Sequence, residues 1–424
     1  MTDPCPKRVV LSALSHAPDF SGIQILPRLN SNASHIFQCW LDRSGLALGF
    51  FRQLQNHNIA IPKDWHQALE QRWLKNTERM QGMLAEAQHL HNTFRSFAVT
   101  AVCLKGFTLT PDFCDDPFVR HQVDFDFLVA PSSVHAAAEA LRFCGYSADR
   151  LNQEGETCFR TASQHIPSVN DDLYVPQAQR QVDLHTSIWE PCAWLRVEVP
   201  QDSLKHARPH SNHGMECLSL SLEDKFLVQV LHAFRHALHP WLRVSWLLEI
   251  GKCLDKHQEN TTLWNRVIHR AGSTHLAKSI FGFVLGLVHR LFHTPIPAPL
   301  GLWSENAMTV SLRVWLDHFG VDWALCDWPG SLNNLFFACD FIPDPDLRKQ
   351  YVRSRLLPGK APLSLGSRPK AGAPKFLQWQ AARLRYVAQR AAAHLKDLLA
   401  LPWQSFRWRR ALESSRRLTF DATG

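Results

Sequence analysis

The stretch VCLKGFTLTPDFCDDPFVRHQVDFDFLVAPSSVHAAAEALRFCGY, residues 102 to 146, decides how this chain folds. Within it Asp124 and Asp126 stand two apart in an apolar run. On a β-strand both carboxylates would leave one face while Val123, Phe125 and Phe127 point to the other. Carboxylates held that close repel unless a cation sits between them. Mg²⁺ takes one or two carboxylates and completes its octahedron with water and substrate phosphates, the arrangement phosphoryl-transfer sites use. Asp-x-Asp also occurs on solvated strand faces and in turns, so the neighbours must decide. Upstream, Lys105-Gly106 closes the apolar run Phe97 to Leu104. The run predicts a buried strand, ending where a glycine lets backbone N–H groups approach a phosphate. Downstream, Gln181-Val182-Asp183-Leu184-His185 supplies a third carboxylate on another strand-like segment. Together these segments outline a metal-dependent nucleotidyltransferase.

Lys105-Gly106, an arginine shortly before Asp124-Phe125-Asp126-Phe127-Leu128-Val129, Gly145-Tyr146 after a helix, and Val182-Asp183-Leu184-His185 follow one another in that order. This pattern resembles the uncharacterised nucleotidyltransferase family of the DNA polymerase β-like superfamily. The segment HAFRHALHPWLRVSWLLEI, with His232, His236, Trp241, Arg243, Trp246 and Glu249, is similar to that family's helical part, and the likeness spans about Leu46 to Arg355. Two features depart from it. Gly106-Phe107 replaces the Gly-Ser or Gly-Gly of the wider superfamily, and Glu249 stands where aspartate is usual, with Trp241 set two residues late.

The resemblance implies an α+β fold: a small nucleotidyltransferase-type α/β core with a mixed sheet, flanked by N- and C-terminal helical regions. It also implies that Asp124 and Asp126 bind Mg²⁺, with Mn²⁺ as the alternative ion. Asp183 would complete the second metal position and help deprotonate the acceptor. Lys105 and Gly106 are expected at the phosphates of an NTP, the lysine as a point charge. Arg120 either clamps an outer phosphate or neutralises Asp115 or Asp116. His232, His236 and His239 share one helix face, where two histidines can bind zinc but no third ligand is evident. Lining of the cleft by His232, His236, Arg243 and His185 is preferred, beside the plainer role of satisfied core histidines.

Four regions are expected: helices over 1–98, the nucleotidyltransferase core over 99–215, a helical domain over 216–356, and a basic linker and amphipathic tail over 357–424. Gly45 to Leu54 and Trp65 to Phe94 carry helical spacing, with Pro62 between them. Ser132 or Ser133 predicts the cap of a helix through Ala136 to Phe143, stopped by Gly145. Thr157 to Thr161 and Gln181 to Thr186 predict further strands. Ser221 followed by Asp224 starts a helix whose spacing lasts through Ala237 to Pro240, and PIPAPL is expected to end the later helices at residue 300. Leu357 to Pro374 predicts a mobile linker, and Phe376 to Leu412 a basic amphipathic helix broken at Pro402.

The 424 residues suffice for two or three domains, and 45% hydrophobic against 20% charged residues is ordinary for a globular protein. The 11 cysteines include no Cys-x-x-Cys pair, so neither a disulfide framework nor a zinc ribbon is indicated, and a reducing cytoplasm fits best. The N-terminus lacks the pattern of a signal peptide, and the most apolar run, Ser279 to Val288, is too short to span a bilayer. Gly282 and Gly286 within it predict ordinary helix packing. Net charge is +8, but Leu347 onward holds about 17 Lys and Arg against about 3 acids, leaving the remainder near −6. Such a tail suits nucleic acid, an anionic surface or an acidic protein, or simply keeps the chain soluble, and its Pro and Gly content argues against a place in the core. The acceptor is open among small molecules, saccharides, peptides and proteins. The rival to an enzyme is a catalytically weak nucleotide-binding or partner-binding component of a biosynthetic or defence assembly.

Overall fold

The computed structural model describes residues 5–421 except 149–150, 153–154, 162–172, 176–179, 190–193, 240, 328–330 and 358–374. Pro240 and nearly all of the expected linker lie outside the described residues. The fold is α+β, as expected. Four helices, α1 (Pro6–Ala13), α2 (Ser31–Ser44), α3 (Ala47–Asn56) and α4 (Lys63–Ser96), precede the sheet. Its strands are β1 (Val102–Cys103), β2 (Asp124–Leu128), β3 (Tyr146–Ser147), β4 (Glu156–Thr161), β5 (Gln181–His185), β6 (Arg208–Asn212) and β7 (Met215–Ser219), in spatial order β3-β4-β5-β2-β1-β7-β6. The β2–β5 and β1–β7 pairs are parallel and the others antiparallel, so the sheet is mixed.

Strand alternation separates two layers. Phe125, Phe127, Val182 and Leu184 join Met83, Leu90 and Phe94 of α4 and Leu141 of α5 (Val134–Phe143) in one buried cluster. Val102, Leu104 and Leu128 belong to the larger core, which they share with α6 (Leu222–Ala237), α7 (Val244–Lys256), α8 (Thr261–Ala271) and α9 (His275–Phe292). Ser221 caps α6 by accepting the Asp224 N–H at 3.4 Å, and Gly145 closes α5 at φ +82°.

Several expectations are corrected. The apolar run from Phe97 forms strand only at Val102–Cys103, because α4 continues to Ser96 and Ala98 then turns at φ +56°. Val123 lies outside β2 and is 44% exposed instead of joining Phe125 and Phe127. Helices do not end at residue 300. Instead α10 (Ala298–Glu305) starts there, with Pro299 in the first turn, where a missing N–H costs nothing. It is followed by α11 (Val310–Trp315), α12 (Val321–Ala324), α13 (Asn334–Phe341) and α14 (Pro345–Leu356).

The last helix, α15 (Lys375–Asp421), passes through Pro402 without ending, and it is not detached from the core. Its Trp408 is buried, stacks on Phe336 at 5.6 Å and meets Phe319 edge-on at 6.0 Å. Helix α9 is long and apolar enough to cross a bilayer, yet 67% of it is buried in the protein's own core. A side chain at Gly282 or Gly286 would strike Met308 at 2.6 Å or Leu316 at 2.7 Å. Close packing accounts for both glycines.

Candidate active site

The segment leading into β2 is held from behind by α4. Asn76, fully buried, donates to the carbonyls of Phe118 and Arg120 at 2.8 and 2.9 Å, and the buried Arg79 donates from Nε to the carbonyl of Gln122 at 3.1 Å. Gln122 in turn donates to the Asp124 carbonyl at 2.8 Å. Gly106 lies against this amide: at φ +74°, a Cβ there would come within 2.5 Å of Gln122 Nε2. The space freed by the glycine is therefore taken up by Gln122. Gln122 Oε1 is buried and has no hydrogen-bond partner among the described residues.

Parallel pairing sets Asp126 opposite Asp183 and Asp124 opposite Gln181. Carboxylate oxygens of Asp124, Asp126 and Asp183 all lie within 4.8 Å of one another, the only such His, Cys, Asp or Glu group found among the described residues. Their environments differ. Burial pushes Asp183 up to about 7, helped by the charges of Asp124 and Asp126 and opposed by Gln181, whose amide donates to both its oxygens at 2.8 and 2.9 Å. Burial and Asp126 likewise push Asp124 up to about 6. Burial would raise Asp126 too, but Lys105 Nζ at 3.0 Å and His185 Nε2 at 3.2 Å from its Oδ1 hold it well below the ordinary carboxylate range. Two of three neighbouring carboxylates thus lack sufficient positive charge. An all-oxygen set of this kind fits a hard divalent cation.

The remaining candidates surround this cluster. Lys105, besides pairing with Asp126, reaches His232 Nδ1 at 3.4 Å. Burial, reinforced by Lys105 and His236, holds His232 neutral, far below the usual histidine range; burial, with His239 and Lys105, does the same to His236. Both rings lie 4.4 Å from Trp246, which gives the histidine face an aromatic partner. Arg120 neutralises neither Asp115 nor Asp116. It forms a two-point pair with Glu249, from Nε at 2.6 Å and Nη2 at 3.3 Å, and both residues are largely buried. Arg243 immediately precedes α7 without capping it through its side chain, and its buried Nε has no hydrogen-bond partner among the described residues.

A family model described as an uncharacterised nucleotidyltransferase matches residues 32–293. The chain belongs to that family. Comparison with curated proteins and with solved structures finds no match. The matched span begins before and ends before the stretch from Leu46 to Arg355 indicated by the motifs, and it contains every candidate residue of this nucleotidyltransferase. Helices α10 to α15 follow the match.

Asn76, Arg79, Gln122 and Gln181 were not apparent from the sequence as parts of the site. Only Gln181 carried a local signal, since it lies two residues before Asp183 on the same strand face. Asn76 and Arg79 act across more than 40 residues, and Gln122, although it bonds the nearby Asp124 carbonyl, is placed by its contact with Gly106.

Proposed function

We propose that the protein moves a nucleoside monophosphate from an NTP to a hydroxyl or phosphate of an acceptor. The observation that carries this is the gathering of Asp124, Asp126 and Asp183 from two parallel strands, with the Lys105 ammonium at their edge. Mg²⁺, or Mn²⁺, held by the three carboxylates would offset charge on the phosphates and on the attacking and leaving oxygens. The chain supplies the rest. Lys105 provides a fixed positive charge for the triphosphate, with Gly106 in the turn that follows it, and Arg120 would reach an outer phosphate by giving up part of its pair with Glu249. Asp183 takes the acceptor proton onto a carboxylate oxygen. His185, His232 and His236 line the cleft, where the neutral imidazoles of His232 and His236 place donors and acceptors, and Arg243 stands in the wall of the neighbouring cavity. A cytoplasmic protein is proposed from its cysteine usage.

The test is incubation of purified protein with each labelled NTP, Mg²⁺ and a lysate of its source, following pyrophosphate and labelled product. Mg²⁺-dependent pyrophosphate release that disappears in Asp124→Asn is expected. Nucleotide binding without any release would instead favour the nucleotide-binding or partner-binding component. A nucleic-acid acceptor requires strongly salt-sensitive capture of RNA or DNA by the intact chain together with label transferred to it.

A further inference from the structure

A cavity of about 430 Å³ lies where α3, the segment before β2 and the start of α7 meet. Its size is that of a small-molecule pocket at a junction between structural units. None of the three carboxylates lines it, although Arg120 and Glu249 form part of its wall. Four cations face it, Arg52, Arg120, Arg243 and Lys252, together with Asp115, Asp116 and Glu249. Arg120 and Glu249 hold each other, and Asp116 accepts the Phe118 N–H at 2.8 Å while keeping its charge, so three remaining cations face two carboxylates.

Arg243 differs. Its buried Nε lacks an acceptor among the described residues, a state that disfavours the fold unless something supplies one. Room for the guanidinium is built in at Gly45, which closes α2 at φ +76°. A Cβ on that residue would fall 2.4 Å from Arg243 Nε and 2.9 Å from Nη2. Trp246 provides an aromatic wall. A planar cation in the cavity wall, held against Gly45 and flanked by two more cations and an apolar surface, matches an oxyanion carried on an organic body.

We infer that this cavity binds a phosphate-bearing ligand through Arg243, with Lys252 and Arg52 reinforcing the charge. The phosphate belongs either to the outer end of the NTP or to a phosphorylated acceptor, and only this choice of source rests on the nucleotidyl-transfer proposal.

The probe is pyrophosphate, titrated calorimetrically into the full-length protein in EDTA so that the carboxylate cluster takes no part. Wild type should bind, and Arg243→Gln should bind at least about tenfold more weakly. Arg243→Lys should recover only part of the affinity. Lys252→Gln and Arg52→Gln, which each remove one flanking cation, should each weaken binding by a smaller factor and serve if Arg243→Gln does not fold. Absence of pyrophosphate binding to wild type, or equal affinity in all the variants, overturns the inference. A second titration in saturating ATP separates the sources: displacement of pyrophosphate assigns the site to the NTP, and simultaneous binding assigns it to the acceptor. Arg243-dependent binding in EDTA stands even if no pyrophosphate release is ever observed with Mg²⁺.

Discussion

Asp183→Asn should make the metal-free protein more stable while abolishing turnover. In the folded chain the Asp183 carboxyl sits at about 7 against an ordinary 3.8. Holding it ionised therefore costs at most about 4 kcal/mol, since each tenfold change in proton affinity is worth about 1.4 kcal/mol. A neutral amide removes that cost. It keeps one oxygen to accept from Gln181 and forfeits the other hydrogen bond, worth about 1 kcal/mol, so a net gain of about 3 kcal/mol is expected. The sign follows from linkage. A carboxyl raised in the folded state penalises folding fully above its folded value near 7. The penalty shrinks as pH falls and vanishes below the unfolded value. The advantage of Asp183→Asn should accordingly be largest at pH 8 and fall to less than about 2 kcal/mol by pH 5. Urea or thermal unfolding in EDTA at the two pH values measures it, and a gain of this size raises the midpoint by several degrees. Added Mg²⁺ should stabilise wild type more than the variant. A variant less stable than wild type at pH 8, or equally displaced at both pH values, would refute the picture of an uncompensated carboxylate cluster.

Asp126→Asn should act in the opposite direction. It strips the half-buried Lys105 of its partner and weakens the His185 contact, so a loss of about 3 kcal/mol is expected in the same unfolding assay; a gain like that of Asp183→Asn would contradict it. Arg120→Ala leaves Glu249 buried and unpaired and should cost about 3–5 kcal/mol. A double-mutant cycle with Glu249→Ala should return a coupling above about 1 kcal/mol, and strict additivity would show that the pair is not formed. Lys105→Ala should weaken triphosphate binding more than monophosphate binding, with equal weakening marking a structural lysine. Trp408→Ala removes a ring seated on Phe336 and Phe319 and should lower stability by about 2–4 kcal/mol; an unchanged transition would mean that α15 does not dock.

Much of the site could be read from the chain because its core is local. The two-residue period of a strand puts Asp124 and Asp126 on one side, and the same period carries Gln181, Asp183 and His185 on β5. Ser221 and Gly145 mark helix boundaries through backbone chemistry that operates within four residues. Other features depend on partners far away in sequence. Arg120 finds Glu249, 129 positions away, in preference to the nearby Asp115 and Asp116. Asn76 and Arg79 look like ordinary polar helix positions until the segment before β2 is laid against them. The tail misled for a related reason. Net basic composition describes most of α15 but not the one aromatic side, around Trp408, that meets Phe319 and Phe336. Likewise, the prolines of PIPAPL predict an end because proline breaks helices from within, whereas Pro299 in a first turn starts one.

The alternation of β2 and β5 has a mechanical consequence. Phe125, Phe127, Val182 and Leu184 are each buried to at least 97% on the side away from the carboxylates, and burial of side chains of this size contributes about 1.5–3 kcal/mol apiece. Four of them together contribute about 6–12 kcal/mol, more than the ~4 kcal/mol that holding Asp183 ionised costs. The oily side of the sheet thus acts as the clamp that forces like charges together on the other side. A slip of one residue between the two strands would release that clamp and turn Asp183 into the grease in one move. Packing and chemistry are therefore inseparable along these ten residues: a change that loosens Phe127 or Leu184 should appear first as weakened metal affinity and only later as loss of the fold.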